Sequence, residues 1–252
     1  MIVAHISDTH IAVDLPDADR RRQNLEQTIA DINELDPLPD AIVLTGDLTQ
    51  HGRPEEYRIA AAALAKARMP FYLVPGNRDN KANLRAAFAS RGFFPAGSPF
   101  LQYAVERHPV RILVLDTIGD SNKGDYCPER VQHLIEMAEA DPTKPIAAFA
   151  HHPPFDIPEG PERLHYKDYD AMGRVTRALE HSGRVAGVFS GHIHRAVAGH
   201  AGRVRASVTP CIATPLRWGE YPEHMKTLPV YHLHQFEPDG VFSTQSRVVR
   251  AA

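Results

Sequence analysis

The chain has 252 residues, with 28 Lys and Arg against 31 Asp and Glu, a formal net charge of -3, and two cysteines. Because the two signs of charge are mixed along the sequence, no basic stripe is available for duplex nucleic acid or an anionic membrane surface, and a polymeric nucleic-acid substrate is set aside. Cys127 and Cys211 stand alone without CxxC spacing, so they make no zinc site by themselves and fit a reducing, cytoplasmic setting.

The N-terminus enters a strand pattern directly, Ile2 to Ile6, without a signal-peptide profile, and no apolar stretch approaches the length of a membrane span, so no membrane insertion is expected. This run ends in Asp8-Thr9-His10, where residues i and i+2 on extended chain share a direction. An amphipathic stretch from Gln23 to Leu35 follows the polar segment Asp14 to Arg22. The run Ala41 to Leu44 leads to Gly46-Asp47, a helical pattern covers Glu55 to Ala67, and Phe71 to Val74 leads to Gly76-Asn77. Val110 to Leu115 is the one run read without a following metal-binding residue. After the helix Pro128 to Ala140, with proline at its first position, Ile146 to Phe149 ends in His151-His152. The helix Ala171 to His181 precedes Val185 to Phe189, which ends in Gly191-His192-Ile193-His194. Beyond residue 195 helical signals stop, and Val204 to Val208, Val230 to His234 and Phe242 to Val249 read as strands joined by turns, Pro238-Asp239-Gly240 among them. Alternating strand and helix predict a largely parallel sheet, with the C-terminal strands forming a second sheet against it, in a single domain over 1–252. Whether copies associate into a homo-oligomer is left open.

Polar residues thus recur at the ends of strands, where open α/β sheets bind ligands. Asp8, His10, Asp47, Asn77, His151, His192 and His194 together offer two carboxylates, one amide oxygen and four imidazoles. That mixed oxygen and nitrogen shell without thiolates suits manganese, iron, zinc or cobalt. Seven such groups exceed one ion's needs and match two ions about 3.5 to 4 Å apart that share a bridging carboxylate.

The blocks Asp8-Thr9-His10, Gly46-Asp47, Gly76-Asn77-Arg78-Asp79, His151 and Gly191-His192-Ile193-His194 resemble those of the calcineurin-like metallophosphoesterases. Within that superfamily, the segment from Gly46 to Tyr57 and the block Phe71 to Asn80 resemble class III cyclic-nucleotide phosphodiesterases and bacterial glycerophosphodiesterases. The resemblance implies an α/β fold, a four-layer α/β/β/α sandwich with two packed mixed β-sheets flanked by helices. It also implies that Asp8, His10 and His194 bind a first ion, that Asn77, His151 and His192 bind a second, and that Asp47 bridges. It favours His151 through the family's His-x-Pro pattern, with His152 as the alternative ligand. The expected cofactors are two divalent ions, manganese first, with iron, zinc or cobalt as alternatives.

Arg78 departs from the family's Gly-Asn-His-Asp block. A guanidinium can bind phosphate but does not donate its proton at working pH. The expected reaction is hydrolysis of a small phosphodiester, a cyclic nucleotide or a glycerophosphodiester, by metal-activated hydroxide. Arg78 would clamp a phosphate oxygen, Asp79 would orient His10 or a neighbouring ligand, and His51, His152 or a bound water would serve the leaving group. The loops Asp14 to Arg22 and Phe155 to Tyr166 would overhang the ions and select the substrate. The alternatives are a phosphomonoesterase, a nuclease or a non-catalytic metal-bound regulatory protein.

Overall fold

Every residue of Ala41–Thr45, Phe71–Val74, Arg111–Leu115 and Ile146–Ala150 is buried. These runs read as unbroken apolar stretches because both faces of each strand are covered. In the computed structural model, which describes residues 1–158 and 162–250, they divide between two sheets. The first contains β1 (Ile2–Ile6), β2 (Ala41–Thr45), β3 (Phe71–Val74), β10 (Val230–Phe236) and β11 (Phe242–Val248), in the order β11-β10-β1-β2-β3. The second contains β4 (Tyr103–Val105), β5 (Arg111–Leu115), β6 (Ile146–Ala150), β7 (Val185–Ser190), β8 (Val197–Ala201) and β9 (Val204–Val208), in the order β4-β5-β6-β7-β9-β8.

Both sheets are mixed: β1, β2 and β3 are parallel, as are β5, β6, β7 and β9, while β4, β8, β10 and β11 pair antiparallel with their neighbours. Side-chain alternation along a strand then builds three apolar layers. Ile42 and Leu44 face α1 (Ala18–Asn33), α2 (Pro54–Leu64) and α3 (Lys81–Ala87), meeting Leu25, Ile29, Tyr57, Leu64 and Leu84. Leu113, Leu115 and Ala148 face α4 (Pro128–Glu139) and α5 (Tyr169–His181), meeting Leu134, Val175 and Leu179. Val3, Val43, Tyr72, Ile112, Val114, Phe149 and Phe189 fill the space between the sheets. The result is the expected four-layer α/β/β/α sandwich.

Two expectations need correction. The C-terminal strands form no sheet of their own: β9 runs parallel beside β7, and β10 and β11 extend the first sheet beyond β1. The expected central sheet is split accordingly, with its parallel strands shared between both sheets. The segment Asp14 to Arg22 is also only partly a loop, since α1 begins at Ala18. Its first turn, Ala18-Asp19-Arg20-Arg21-Arg22, is charged, so apolar periodicity becomes visible only from Leu25. Four elements gave no sequence signal: β4 with three residues, the half-exposed edge strand β8 (Val-Ala-Gly-His-Ala), the seven-residue α3, and the four-residue α6 (Glu223–Lys226).

Asp31 fastens α1 to the end of the first sheet. Its carboxylate accepts from Tyr231 Oη at 2.7 Å, Arg247 Nε at 2.7 Å and Arg250 Nε at 3.1 Å. Burial raises its pKa, but these donors more than reverse that, and it falls from 3.8 to about 2. A folded pKa below the unfolded one adds stability that is full above about pH 4 and is lost as pH falls from 4 towards 2, here up to about 2 kcal/mol. Asp31→Asn is therefore expected to lower urea-unfolding stability at pH 7 by about 2 kcal/mol and to flatten the acid limb between pH 4 and 2. An unchanged acid limb would contradict this assignment.

Candidate metal centre

The parallel strands of both sheets end at one edge of the sandwich, and the loops leaving them carry the expected residues. Asp8 and His10 follow β1, Asp47 follows β2, Asn77 follows β3, His151 follows β6, and His192 and His194 follow β7. The loops are stitched together by Asp8 N to Gly46 O at 3.1 Å, His10 N to Asp47 O at 2.9 Å, Gly191 N to His151 O at 3.1 Å and His192 N to Asp8 Oδ2 at 3.0 Å. Among the described residues, the non-glycine residues with positive φ are Asp8, His10, Asp47, His192 and His194. All five are expected ligands. Left-handed backbone is costly for such side chains, of order 1–3 kcal/mol each. That cost concentrates where side chains must be aimed at a common point.

All seven expected ligands converge. The donor atoms of Asp8, His10 and His194 lie within 4.8 Å of one another, as do those of Asp8, Asp47 and His151. Asn77 Oδ1 stands 2.9 Å from His151 Nε2 and 3.1 Å from His192 Nδ1. Asp47 sits between the two groups, with Oδ2 at 3.6 Å from His10 Nε2 and Oδ1 at 3.5 Å from His151 Nε2.

The hydrogen bonds behind the rings fix where their lone pairs point. His10 Nδ1 donates to Gln50 Oε1 at 3.1 Å, His194 Nδ1 to Leu216 O at 3.1 Å, and His151 Nδ1 to Thr45 O at 2.7 Å. A neutral imidazole has one N–H, so each Nε2 carries a bare lone pair. The lone pairs of His10 and His194 therefore face each other at 3.1 Å, and that of His151 faces the amide oxygen of Asn77 at 2.9 Å. Asp8 Oδ1, fully buried, has no hydrogen-bond partner. Acceptors aimed at acceptors around an orphaned carboxylate oxygen are unfavourable unless a cation lies between them. The residues thus fit divalent ions, with ring nitrogens oriented from behind as metal-bound histidines are. The titration of the site has the same sense. Burial raises the Asp8 pKa and lowers that of His194, and in each case the facing partner more than reverses the effect, leaving Asp8 well below and His194 above their usual values. A proton on His194 Nε2 relieves the same gap towards Asp8 and His10, and a divalent ion would take its place.

The residues expected to act beside the ligands fare differently. His152 is fully buried, with Nε2 donating to Asn122 O at 3.1 Å and Nδ1 accepting from Thr117 Oγ1 at 2.9 Å. Both nitrogens are committed, and burial and then His151 push its pKa well below the usual value. His152 therefore offers neither a ligand lone pair, despite its proximity to His151 and His192, nor an available proton, and the expectation for it is corrected. Asp79 does not orient His10, whose Nδ1 belongs to Gln50. It accepts from Gly76 N at 3.0 Å, Leu48 N and Thr49 N at 3.2 Å and Tyr57 Oη at 3.0 Å, bracing the loops of Asp47 and Asn77 against each other. Burial and then the charge of Asp47 raise its pKa to about 6. Arg78 is exposed, its N donates to Asp47 Oδ1 at 2.7 Å, and its guanidinium forms no hydrogen bond or ion pair with any described residue. A structural ion pair with Asp79 is thereby ruled out. His51 faces Asp14 Oδ1 at 3.5 Å.

The run read without a following metal-binding residue is in fact followed directly by a buried carboxylate, Asp116, which is tied to Lys81 Nζ at 2.7 Å and Leu101 N at 2.9 Å. Gln50, Thr45 and Leu216, which orient the rings, were not foreseen; two act through backbone carbonyls, which leave no sequence trace. His165, also unforeseen, lies 5.1 Å ring to ring from His192, with both nitrogens unpartnered. Part of its loop, residues 159–161 of the expected Phe155 to Tyr166 substrate loop, lies outside the described residues.

Comparison with known proteins agrees with this geometry. A family model described as calcineurin-like phosphoesterase matches residues 1–196. The chain is 30% identical to a probable glycerophosphodiester phosphodiesterase, GpdQ, of Arcobacter nitrofigilis, over 99% of this chain and 93% of that protein. It is 32% identical to a cAMP/cGMP dual specificity phosphodiesterase of Mycobacterium tuberculosis, over 77% of this chain and 61% of that one. Among solved structures, the purple acid phosphatase PPD1 of yellow lupin seeds aligns over 99% of this chain and 51% of its own with a TM-score of 0.64 at 12% identity, a likeness of fold.

Proposed function

The chain belongs to the calcineurin-like phosphoesterase family, and on that premise we propose that it hydrolyses a small phosphodiester at a dinuclear centre held by Asp8, His10, Asp47, Asn77, His151, His192 and His194. The observation that carries this reading is the opposed pair of bare Nε2 lone pairs on His10 and His194 beside the orphaned Asp8 Oδ1. Members of the family use a dinuclear divalent metal centre, and manganese is the ion proposed here, because hard carboxylate and amide oxygens share the shell with imidazoles. Bound there, the ions lower the pKa of water and neutralise phosphoryl charge.

The protein's own residues do the rest. Asp47 and Asn77 are fixed by Asp79 through the backbone of their loops, so the shell is rigid before substrate arrives. Arg78, anchored at its N by Asp47, offers an unpaired guanidinium that binds the non-bridging oxygens in fork geometry. Because that group keeps its proton, and His152 is committed on both sides, the departing oxygen takes its proton from His51 or a bound water. The reading keeps the chain in a reducing, cytoplasmic setting, in line with its two free cysteines; among the described residues, no helix is long and apolar enough to cross a membrane.

A glycerophosphodiester is favoured by the GpdQ relative, which matches nearly the whole chain. A cyclic nucleotide is the second reading, favoured by the cAMP/cGMP phosphodiesterase relative, with Trp218, 47% exposed and joined through its backbone N to His194 O at 3.0 Å, as an aromatic residue near the centre in the chain. The test is a panel of glycerophosphodiesters, cyclic nucleotides, phosphomonoesters and DNA, offered to metal-stripped protein restored with manganese, zinc, iron or cobalt. Hydrolysis of small diesters ahead of monoesters is expected. Activity confined to monoesters or to DNA would overturn the reading.

Arg78→Ala is expected to cost on the order of 2 to 4 kcal/mol in kcat/KM, as loss of a preorganised donor does, while metal content stays the same. Arg78→His restores a group that donates a proton near neutral pH. It should help diesters with poor leaving groups more than nitrophenyl esters and add a limb to the pH profile. Unchanged kinetics of Arg78→Ala on every ester would assign Arg78 to the surface alone.

A further inference from the structure

The space between two packed sheets is normally apolar, yet here a line of polar side chains crosses it. His5 on β1 and His234 on β10 point between the sheets, where His5 meets Phe149 edge to face at 5.5 Å and His234 lies 4.1 Å from the Phe189 ring. Both histidines are fully buried, as are Ser7 and Thr45. Their hydrogen bonds join end to end. Ser7 Oγ donates to Asp8 Oδ2 at 2.5 Å, and Thr45 Oγ1 donates to Ser7 Oγ at 2.8 Å. The Thr45 hydroxyl proton is thus spent, so it accepts from His5 Nε2–H at 2.8 Å. His5 Nδ1 is then bare and accepts from His234 Nε2–H at 3.1 Å, and His234 Nδ1 accepts from Thr244 Oγ1 at 2.8 Å. Each hydroxyl and ring has one proton to give, and each gives it in the direction of Asp8.

The line ends on one particular oxygen. Asp8 Oδ2 is occupied by Ser7 and by His192 N at 3.0 Å, which leaves Oδ1 to face His10 at 3.7 Å and His194 at 3.4 Å. At its outer end, Thr244 lines a groove of about 600 Å³ between the sheet edges. An ionised carboxylate at the head of a hydrogen-bonded chain in a low-dielectric core polarises every member towards itself. The chain in turn holds the carboxylate in one orientation.

We propose that Ser7, Thr45, His5 and His234 form a positioning relay that aims Asp8 Oδ1 at its ion and sets the affinity of the site formed by Asp8, His10 and His194. This rests on the reading of Asp8 as a metal ligand. His234 touches no proposed ligand, so its hydrogen bonds reach the site only through the relay, while its packing on Phe189 is kept by a ring in its place.

The experiment is equilibrium dialysis of manganese against folded wild-type protein, Thr45→Val, Thr45→Ser and His234→Phe, with melting temperatures measured in parallel. Thr45→Val keeps the shape of the side chain and cuts the line; one ion should bind 10- to 100-fold more weakly, roughly the range for loss of an outer partner of a metal ligand. Thr45→Ser should restore most of that affinity. His234→Phe keeps a ring against Phe189 and removes both nitrogens, and should weaken the same ion several-fold. Folded Thr45→Val with wild-type ion affinity, whatever its melting temperature, overturns the relay. If Thr45→Val does not fold, wild-type affinity in His234→Phe overturns it. Wild-type protein that takes up no ion overturns the metal reading of the centre instead.

Discussion

Asp47→Ala is expected to lower turnover by at least about a thousandfold, on the order of 4 kcal/mol of transition-state stabilisation, and to remove more than one bound ion per chain. Its two oxygens stand 3.6 Å from His10 Nε2 and 3.5 Å from His151 Nε2, so one side chain serves both groups of ligands. His10→Ala, by contrast, weakens a single group. The fold should survive the loss of Asp47, because its charge raises the pKa of the buried Asp79 and removing it relieves that repulsion. Metal analysis with a steady-state assay decides the matter. Two retained ions and near-normal turnover would mean that Asp47 bridges nothing.

Gly76→Ala is expected to damage the centre without replacing a ligand. A Cβ there would lie 2.0 Å from Asp47 N, 2.3 Å from Asp47 Oδ1 and 2.8 Å from Gly46 C. Two of these atoms belong to the backbone at the end of β2, which is held by β1 and β3 and has no rotamer to change. Relief requires the loops of Asp47 and Asn77 to separate, against the bonds Asp79 makes to both. Overpacking of this kind costs about 3 kcal/mol or more, which for a domain of this size lowers Tm by roughly 10 °C, and manganese affinity should fall with it. A variant with wild-type Tm and wild-type ion affinity would show that the loops have room the structure does not provide.

The convergence of the proposed ligands was legible in the sequence because the fold puts them in register with strand ends: Asp8, Asp47, Asn77, His151 and His192 each follow an apolar run within a few residues. Pairwise orientation was not legible. His151 and His152 are adjacent and chemically identical, and only the tertiary partners separate them, since Thr45 O leaves one a free lone pair and Thr117 with Asn122 consumes both nitrogens of the other. Which neighbour Asp79 serves was likewise not legible: its carboxylate accepts from Gly76, Leu48, Thr49 and Tyr57, so it braces the loops of Asp47 and Asn77 and not the His10 ring. In the fold, the parallel strands were found and their sharing between two sheets was not, because an apolar run covered on both faces carries no mark of which neighbour covers it. The short elements β4, α3 and α6 lie below the length at which periodicity can be read, and β8, Val-Ala-Gly-His-Ala, is a half-exposed edge strand of mostly small residues with no apolar run to mark it.

The most direct measurement is a titration of metal-stripped protein with manganese, following hydrolysis of a small phosphodiester. Opposed lone pairs in two groups joined by Asp47 predict that activity rises from baseline and reaches its plateau at two ions per chain. Full activity in the stripped protein, or a plateau at one ion per chain, would contradict the dinuclear assignment.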